Sequence, residues 1–357
     1  MHNKIFSKKI PTAVLGATGA VGQRFVQLLE HHPWFEVAAV TGSARTSGGK
    51  YGQVCQWVLD GDPPARISEM IVRDSEPDLP VPLVFSALPA KIARDVEPRF
   101  AQAGTIVCSN ASSYRQEPGV PLIIPEVNAD HLAMIEEQRA QKSWPGLIVT
   151  SPNCTTSGLA LTLKPLDQAF GIRQVLVTTM QAVSGAGYPG VSYMDIAGNI
   201  IPFIDGEEEK IEQETRLLLG TMNGNRRLPA DMDISAQANR VAVMDGHTLS
   251  MALKFERVPT VEDAARVLSE FQSPEQVRSL PSAPERIIYL RNQPSRPQPR
   301  RDRNIDRGMA VTVGRMQACS VMDLRLVSVV HNTLRGAASG SILNAELLVI
   351  KGYLGDV

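Results

Sequence analysis

A strand, glycine-rich turn, helix and strand within the first 41 residues, short apolar runs at intervals over the next hundred, and a length of 357 residues together predict an α/β protein. The first part is expected to be a Rossmann-type parallel sheet domain and the second a mixed α/β domain. At about 150 residues per domain the chain divides in two, and each half can bury its own core. Hydrophobic residues at 43% and charged ones at 20% are globular values. No apolar run approaches the roughly 18 residues of a membrane span, so no membrane association is expected.

The elements follow in order. Thr12 to Leu15 reads as a short buried strand, Val21 to Glu30 as a helix with Phe25, Val26, Leu28 and Leu29 as its apolar positions, and Glu36 to Thr41 as the next strand. The lysines Lys4, Lys8 and Lys9 before Pro11–Val21 imitate a secretory signal peptide, but Gly16, Gly19 and Gly22 fit a loop between strand and helix better. Val81–Ser86, Thr105–Cys108 and Gly146–Thr150 supply further strands of one parallel sheet. Beyond residue 150 a helical pattern runs from Ser157 to Phe170, with strands at Val175–Met180 and His247–Phe255 and a helix opened by Thr260 as N-cap. A small-residue turn, Gly336 to Gly340, leads into an apolar helix, Ile342 to Ile350, expected to pack back on the first domain.

Gly16-Ala-Thr18-Gly19-Ala20-Val21-Gly22 is a G-x-x-G-x-x-G turn whose amides, with the helix N-terminus behind them, can hold a pyrophosphate. The plain alternative is a tight turn that binds nothing. An NAD site usually carries an acidic residue near the end of the second strand; here the chain runs Thr41-Gly-Ser43-Ala-Arg45-Thr-Ser47. Hydroxyls and an arginine suit a 2′-phosphate, so NADP is favoured over NAD. The net charge of −1 gives no general pull toward nucleic acid. Cys55, Cys108, Cys154 and Cys319 lie far apart with no CxxC pair, which fits neither a disulfide framework nor a metal site and points to a reducing cytoplasm.

Ser151-Pro-Asn-Cys154-Thr-Thr places a cysteine after a strand and directly before a helix, where amide dipoles are expected to lower its pKa and favour a nucleophile over a buried structural thiol. A catalytic thiol beside an NADP domain points to aldehyde oxidation through a thioester. Cys55, Cys108 and Cys319 are read as core residues.

Five segments in order carry a resemblance over nearly the whole chain: Gly16–Gly22, Ser151–Thr156, Gln181-Ala-Val-Ser-Gly-Ala-Gly187, Arg240-Val-Ala-Val-Met-Asp-Gly-His247 and Asn332-Thr-Leu-Arg-Gly-Ala-Ala-Ser-Gly-Ser-Ile342. Together they resemble the aspartate-semialdehyde dehydrogenase family, and Asp245-Gly-His247 with Arg296-Pro-Gln-Pro-Arg300 resembles its archaeal and fungal branch. The resemblance implies reversible, phosphate-dependent oxidation of L-aspartate 4-semialdehyde to L-4-aspartyl phosphate with NADP, on the route to lysine, threonine and methionine. It implies an NADP-binding domain over 1–150 completed by the C-terminal segment 333–357, and a catalytic and dimerisation domain over 151–332.

By the same resemblance Cys154 is the nucleophile, His247 the acid/base and Gln181 the residue that orients substrate. Arg240 would hold the substrate carboxylate, Glu207 its amine, and Lys210, Arg115 and Asn153 the phosphate, with a register at Glu207–Lys210 good to one residue. Ser184, Gly185, Gly187 and Asn332 would meet the nicotinamide. Substrate and inorganic phosphate are the partners implied, with a homodimer or homotetramer and no metal. Malonyl-CoA reductase shares the cysteine, histidine and cofactor fold, but an ammonium ligand at Glu207 has no use there. A noncatalytic NADP sensor would be expected to lose the thiol or the histidine. The arginine-rich segment 291–307 reads weakly as a nucleic-acid patch because no aromatic residues interleave it.

Overall fold

The computed structural model describes residues 8–354. Lys4 and the last three residues of the 333–357 segment lie outside the described residues. Six strands, β1 (Ile10–Leu15), β2 (Phe35–Thr41), β3 (Val72–Arg73), β4 (Leu83–Ser86), β5 (Ile106–Ser109) and β6 (Leu147–Thr150), form one parallel sheet in the order β3-β2-β1-β4-β5-β6. Strands β4, β5 and β6 are buried at every position, as expected of a sheet covered on both faces. The order reverses beside β1, and the glycine-rich turn follows that strand, at the switch point where such sheets bind ligands.

Two glycines make that turn possible. Gly16 has φ +71, in the left-handed region, and a Cβ at Gly22 would lie 2.2 Å from Gly16 O and 2.7 Å from Ala17 Cα. The turn therefore presses directly onto the Ala20–Leu29 helix, which buries Phe25, Val26 and Leu29 against the sheet.

The second part contains β7 (Ile172–Gln181), β8 (Ile200–Ile201), a hairpin of β9 (Thr221–Asn223) and β10 (Arg226–Leu228), then β11 (Asp233–Val241), β12 (His247–Phe255), β13 (Ile288–Arg291), β14 (Val311–Ala318) and β15 (Leu324–Val330). Apart from the hairpin they form a seven-stranded mixed sheet, ordered β13-β14-β15-β12-β7-β11-β8. Leu159 and Leu163 of the Cys154–Phe170 helix, Leu218 of the Glu207–Leu219 helix and Leu268 of the Val261–Glu270 helix pack on Val175, Val177, Leu249 and Met251 of this sheet. Thr260 caps the last of these helices, accepting from the Asp263 amide at 3.0 Å.

Helix Ser339–Ile350 returns to the first part, where Ile342, Leu343, Leu347 and Leu348 join Val14, Phe25 and Phe85 in one core. It is preceded by a π-helical turn, Leu334–Ala338, whose Arg335 makes a buried two-pronged ion pair with Glu126, both contacts at 2.6 Å. Cys108 is a core residue as expected, but Cys55 and Cys319 are only half-buried, which corrects the reading of all three as core. Two arginines of the 291–307 segment turn inward, buried Asp302 holding Arg291 at 3.0 Å and Arg296, while exposed Arg307 donates to Ala283 O at 2.7 Å.

Candidate active site

Three strand ends build the site. Arg240 of β11 pairs with Gln181 at the end of parallel β7, and antiparallel β12 starts beside them at His247. Facing these ends is the first residue of the Cys154–Phe170 helix. The Cys154 Sγ lies 3.1 Å from His247 Nε2. Nδ1 of the same ring accepts from the Ala182 amide at 3.0 Å, so the neutral imidazole carries its proton on Nε2, toward the sulfur.

Asn153 caps the helix with its side-chain oxygen, accepting from Thr155 N at 2.8 Å and Thr156 N at 3.2 Å. Its Nδ2 donates to both oxygens of Glu207 at 3.0 Å, and its backbone amide donates to Glu214 at 2.6 Å. Every donor of Asn153 is thus engaged within the protein, and its first role is to hold the cap. Glu207 is buried and also accepts from Gln181 Nε2 at 2.9 Å. Glu208, the neighbour one residue on, bonds instead to the Ala238 amide at 2.9 Å, so Glu207 is the member of the acidic run that faces the thiol. Lys210 follows one turn later on the same helix, half-buried.

The electrostatics reverse one expectation. The helix N-terminus was expected to lower the Cys154 pKa, but burial pushes the thiol up to about 12, with Glu207 adding to the rise and Arg115 and Arg240 opposing it. Burial likewise holds His247 down to about 3, with Arg240 and His331 adding to the fall. The one helix-end amide that faces the sulfur, that of Thr155, lowers the thiol less than burial raises it.

Arg240 is buried and donates to Ala182 O at 2.7 Å. Gly185 leaves room for it: a Cβ there would sit 2.9 Å from Arg240 Nη1 and 3.2 Å from the His247 ring. Arg115 pairs with Glu214 at 2.9 Å. Asn332 is buried, its Oδ1 accepting from Gly246 N at 2.9 Å and its Nδ2 donating to Ser184 Oγ at 2.8 Å, so it ties Gly246 to Ser184. Sequence reasoning missed Gly336. A Cβ at that position would lie 2.7 Å from Cys154 Cβ, so the π-helical turn packs against the back of the cysteine.

Between the two parts lies a cavity of about 540 Å³, lined among others by Ala20 and Arg24 of the first helix, Ser184, Gly187 and Tyr188 of the following loop, and Thr333. It joins the glycine-rich turn to the positions expected to meet a nicotinamide. The Arg24 Nε is buried there without a partner, and Arg24 is only 3.9 Å from Asp245 at its closest. A dinucleotide fits this arrangement: the first turn of the Ala20–Leu29 helix leaves amides without helical acceptors, and Arg24 lines the cavity beside Asp60 and Asp245. Ser43 and Arg45 stand exposed just beyond β2, with Ser47 half-buried. Among the described residues no group of three or more His, Cys, Asp or Glu is placed to hold a metal ion.

Residues 11–135 match the family model described as semialdehyde dehydrogenase, NAD binding domain, and residues 163–335 match semialdehyde dehydrogenase, dimerisation domain. The aspartate-semialdehyde dehydrogenase of Archaeoglobus fulgidus is 49% identical over 338 residues, covering 94% of this chain and 97% of that protein. That of Schizosaccharomyces pombe is 46% identical over 350 residues, covering 96% and 98%. Among solved structures, aspartate semialdehyde dehydrogenase with NADP from Candida albicans superposes with a TM-score of 0.89 at 41% identity, covering 97% of this chain and 100% of that one. Aspartate semialdehyde dehydrogenase II complexed with ASA from Vibrio cholerae gives 0.75 at 25% identity, covering 96% and 99%. With both domain models matched in order and identity near one half over almost the full length, this chain, a nicotinamide-dependent oxidoreductase, belongs to the aspartate-semialdehyde dehydrogenase family.

Proposed function

We propose that the protein catalyses the reversible, NADP-dependent, phosphate-requiring conversion of L-aspartate 4-semialdehyde to L-4-aspartyl phosphate through a thioester on Cys154. The observation that carries the reading is the 3.1 Å contact between Cys154 and His247 inside a ring of Glu207, Gln181 and Arg240. An amino-acid aldehyde presents a carboxylate, an ammonium and a carbonyl. Arg240 and Glu207 match the two charges, leaving the carbonyl to the sulfur.

Sulfur adds to the aldehyde carbon and the thiol gives up its proton. Nε2 of His247 is the group in reach, but accepting there requires the other tautomer, with Nδ1 protonated and the Ala182 bond released. Proton transfer is therefore tied to a local shift at Ala182. His247 passes that proton to the carbonyl oxygen, giving a thiohemiacetal, and takes back the hydroxyl proton as hydride leaves to give the thioester; NADP, when bound, would supply the two-electron acceptor. A phosphate oxygen then attacks the thioester carbon, the carbon–sulfur bond breaks, and the leaving thiolate recovers its proton from His247. Arg115 and Lys210 receive the phosphate.

NADP rather than NAD is supported by Ser43, Arg45 and Ser47 beyond β2 and by the Candida albicans relative, whose structure is one with NADP. The pyrophosphate is assigned to the turn from Gly16 to Gly22, including Thr18, Gly19, Ala20 and Val21, and the nicotinamide to Ser184, Gly185 and Gly187. Relatives at 49% and 46% identity in an archaeon and a fungus support the archaeal and fungal branch. A domain boundary near residue 150, assembly as a homodimer or homotetramer through the second domain, and a cytoplasmic location belong to the same proposal.

The test is NADPH formation from aspartate semialdehyde and NADP, with and without phosphate, beside NADPH consumption with malonyl-CoA. Phosphate-dependent NADPH formation without malonyl-CoA turnover is expected. Activity with the thioester alone would keep Cys154 and overturn the substrate and the phosphate role.

A further inference from the structure

With phosphate assigned to Arg115, the buried carboxylate paired with that arginine, Glu214, has no task of its own. Glu214 lies one turn beyond Lys210 on the Glu207–Leu219 helix, with a side chain 1% exposed. Its Oε1 accepts from Arg115 Nη1 at 2.9 Å, and its Oε2 accepts from the backbone amide of Asn153, the residue before the nucleophile, at 2.6 Å. Arg115 Nη2 donates to Asn110 O at 2.8 Å, which fixes both terminal nitrogens, while its Nε is buried without a partner. At the rim of the same contact Gln116 donates to Gln213 at 2.6 Å. Arg227 approaches from the hairpin, its Nη2 3.5 Å from Arg115 O.

We propose that Glu214 is a positioning residue that sets the phosphate site by fixing the Arg115 guanidinium relative to Cys154. This rests on the reading that Arg115 receives phosphate. A carboxylate beside a dianion repels it, so its presence needs a reason that outweighs the repulsion. Geometry supplies one. A free arginine side chain is rotamer-rich, and a clamp at both Nη atoms removes that freedom before the anion arrives. The attacking oxygen must lie about 3–3.5 Å from the thioester carbon, and that carbon is carried by Cys154. One carboxylate grips both the cation that holds the phosphate and the residue that starts the nucleophile's helix, so the two reactants share a single reference point. The neighbouring Arg227 and the paired Arg115 compensate its charge.

The experiment varies phosphate and semialdehyde independently for the wild type, Glu214→Gln and Glu214→Asp. An amide has one acceptor and one donor end, so glutamine can accept from Arg115 or from the Asn153 amide but not both. Aspartate keeps the charge and loses the reach. For both variants the KM for phosphate is expected to rise about tenfold or more, while the semialdehyde KM and the dissociation constant for NADPH stay within about twofold. Phosphate protection of Cys154 against iodoacetamide, read without turnover, should shift to higher phosphate by the same factor.

An unchanged or lower phosphate KM would overturn the proposal, since Glu214 would then be a competitor for Arg115. So would an equal loss for every substrate and for NADPH binding, the mark of a purely structural role. Should the glutamine variant fail to fold, the aspartate variant decides: wild-type phosphate kinetics there overturn the clamp. A wild type indifferent to phosphate overturns the functional reading itself, before any variant is compared.

Discussion

Cys154 and His247 face each other as two neutral groups. Desolvation raises the thiol to about 12 and lowers the imidazole to about 3, so transferring the proton between them is uphill. The hydrogen bond from Ala182 to Nδ1 acts in the same direction, because a cationic ring would set two N–H groups against each other. Only the thiolate is alkylated, so its fraction grows with pH toward the raised thiol pKa. Carbamidomethylation of Cys154 by iodoacetamide in the free enzyme should therefore be slow near pH 7 and climb without a plateau to at least about pH 9.5. A rate already high and flat from about pH 6 would show a preformed thiolate–imidazolium pair and contradict this description. Gly336 belongs to the same scale. With 2.7 Å between its missing Cβ and Cys154 Cβ, any side chain there displaces the nucleophile.

At the scale of elements, the nucleophile's helix is held at its start by Asn153 and from behind by the Leu334–Ala338 turn. That turn is anchored by Arg335 and Glu126, with side chains 2% and 1% exposed. Removing one member of a buried pair strands the other charge, so Arg335→Met should cost about 3–5 kcal/mol in urea unfolding, and adding Glu126→Gln should recover much of the loss. A single substitution costing less than about 1 kcal/mol would mean that the pair does not anchor the turn. Which elements were legible follows from their chemistry. Strands β4, β5 and β6 are continuous apolar runs and announced themselves, as did the amphipathic helix after the glycine turn. Strand β11, Asp-Ile-Ser-Ala-Gln-Ala-Asn-Arg-Val, was silent because most of its side chains are small or polar and only Ala238 and Arg240 are buried. The Ala90–Gln102 helix was silent because Pro98 and many charges mask its few buried residues, Ala93, Glu97, Phe100 and Ala101.

Across the whole molecule, the site is assembled from segments distant in sequence, and its legibility was uneven for that reason. Cys154, Gln181, Arg240 and His247 were found because local wording marks them, and the fold brings them together at three strand ends and a helix start. Glu214 carries no local wording of this kind. Its partner Arg115 lies 99 positions away, and nothing in either neighbourhood distinguishes a buried clamp from a solvated charge. The pKa reversal at Cys154 was equally invisible, because burial is a property of the folded chain. The helix at the C-terminal end shows the same dependence: its apolar composition signalled that it is buried, while its place against Val14 and Phe85 is set by tertiary packing.

The most direct test of the central claim is to mix the enzyme with NADP and aspartate semialdehyde without phosphate, quench in acid, and locate any adduct by peptide mass spectrometry. An aspartyl thioester on the Cys154 peptide, lost when phosphate is added before the quench, is the predicted result. No adduct in the absence of phosphate, or an adduct on Cys55, Cys108 or Cys319 instead, would contradict the account.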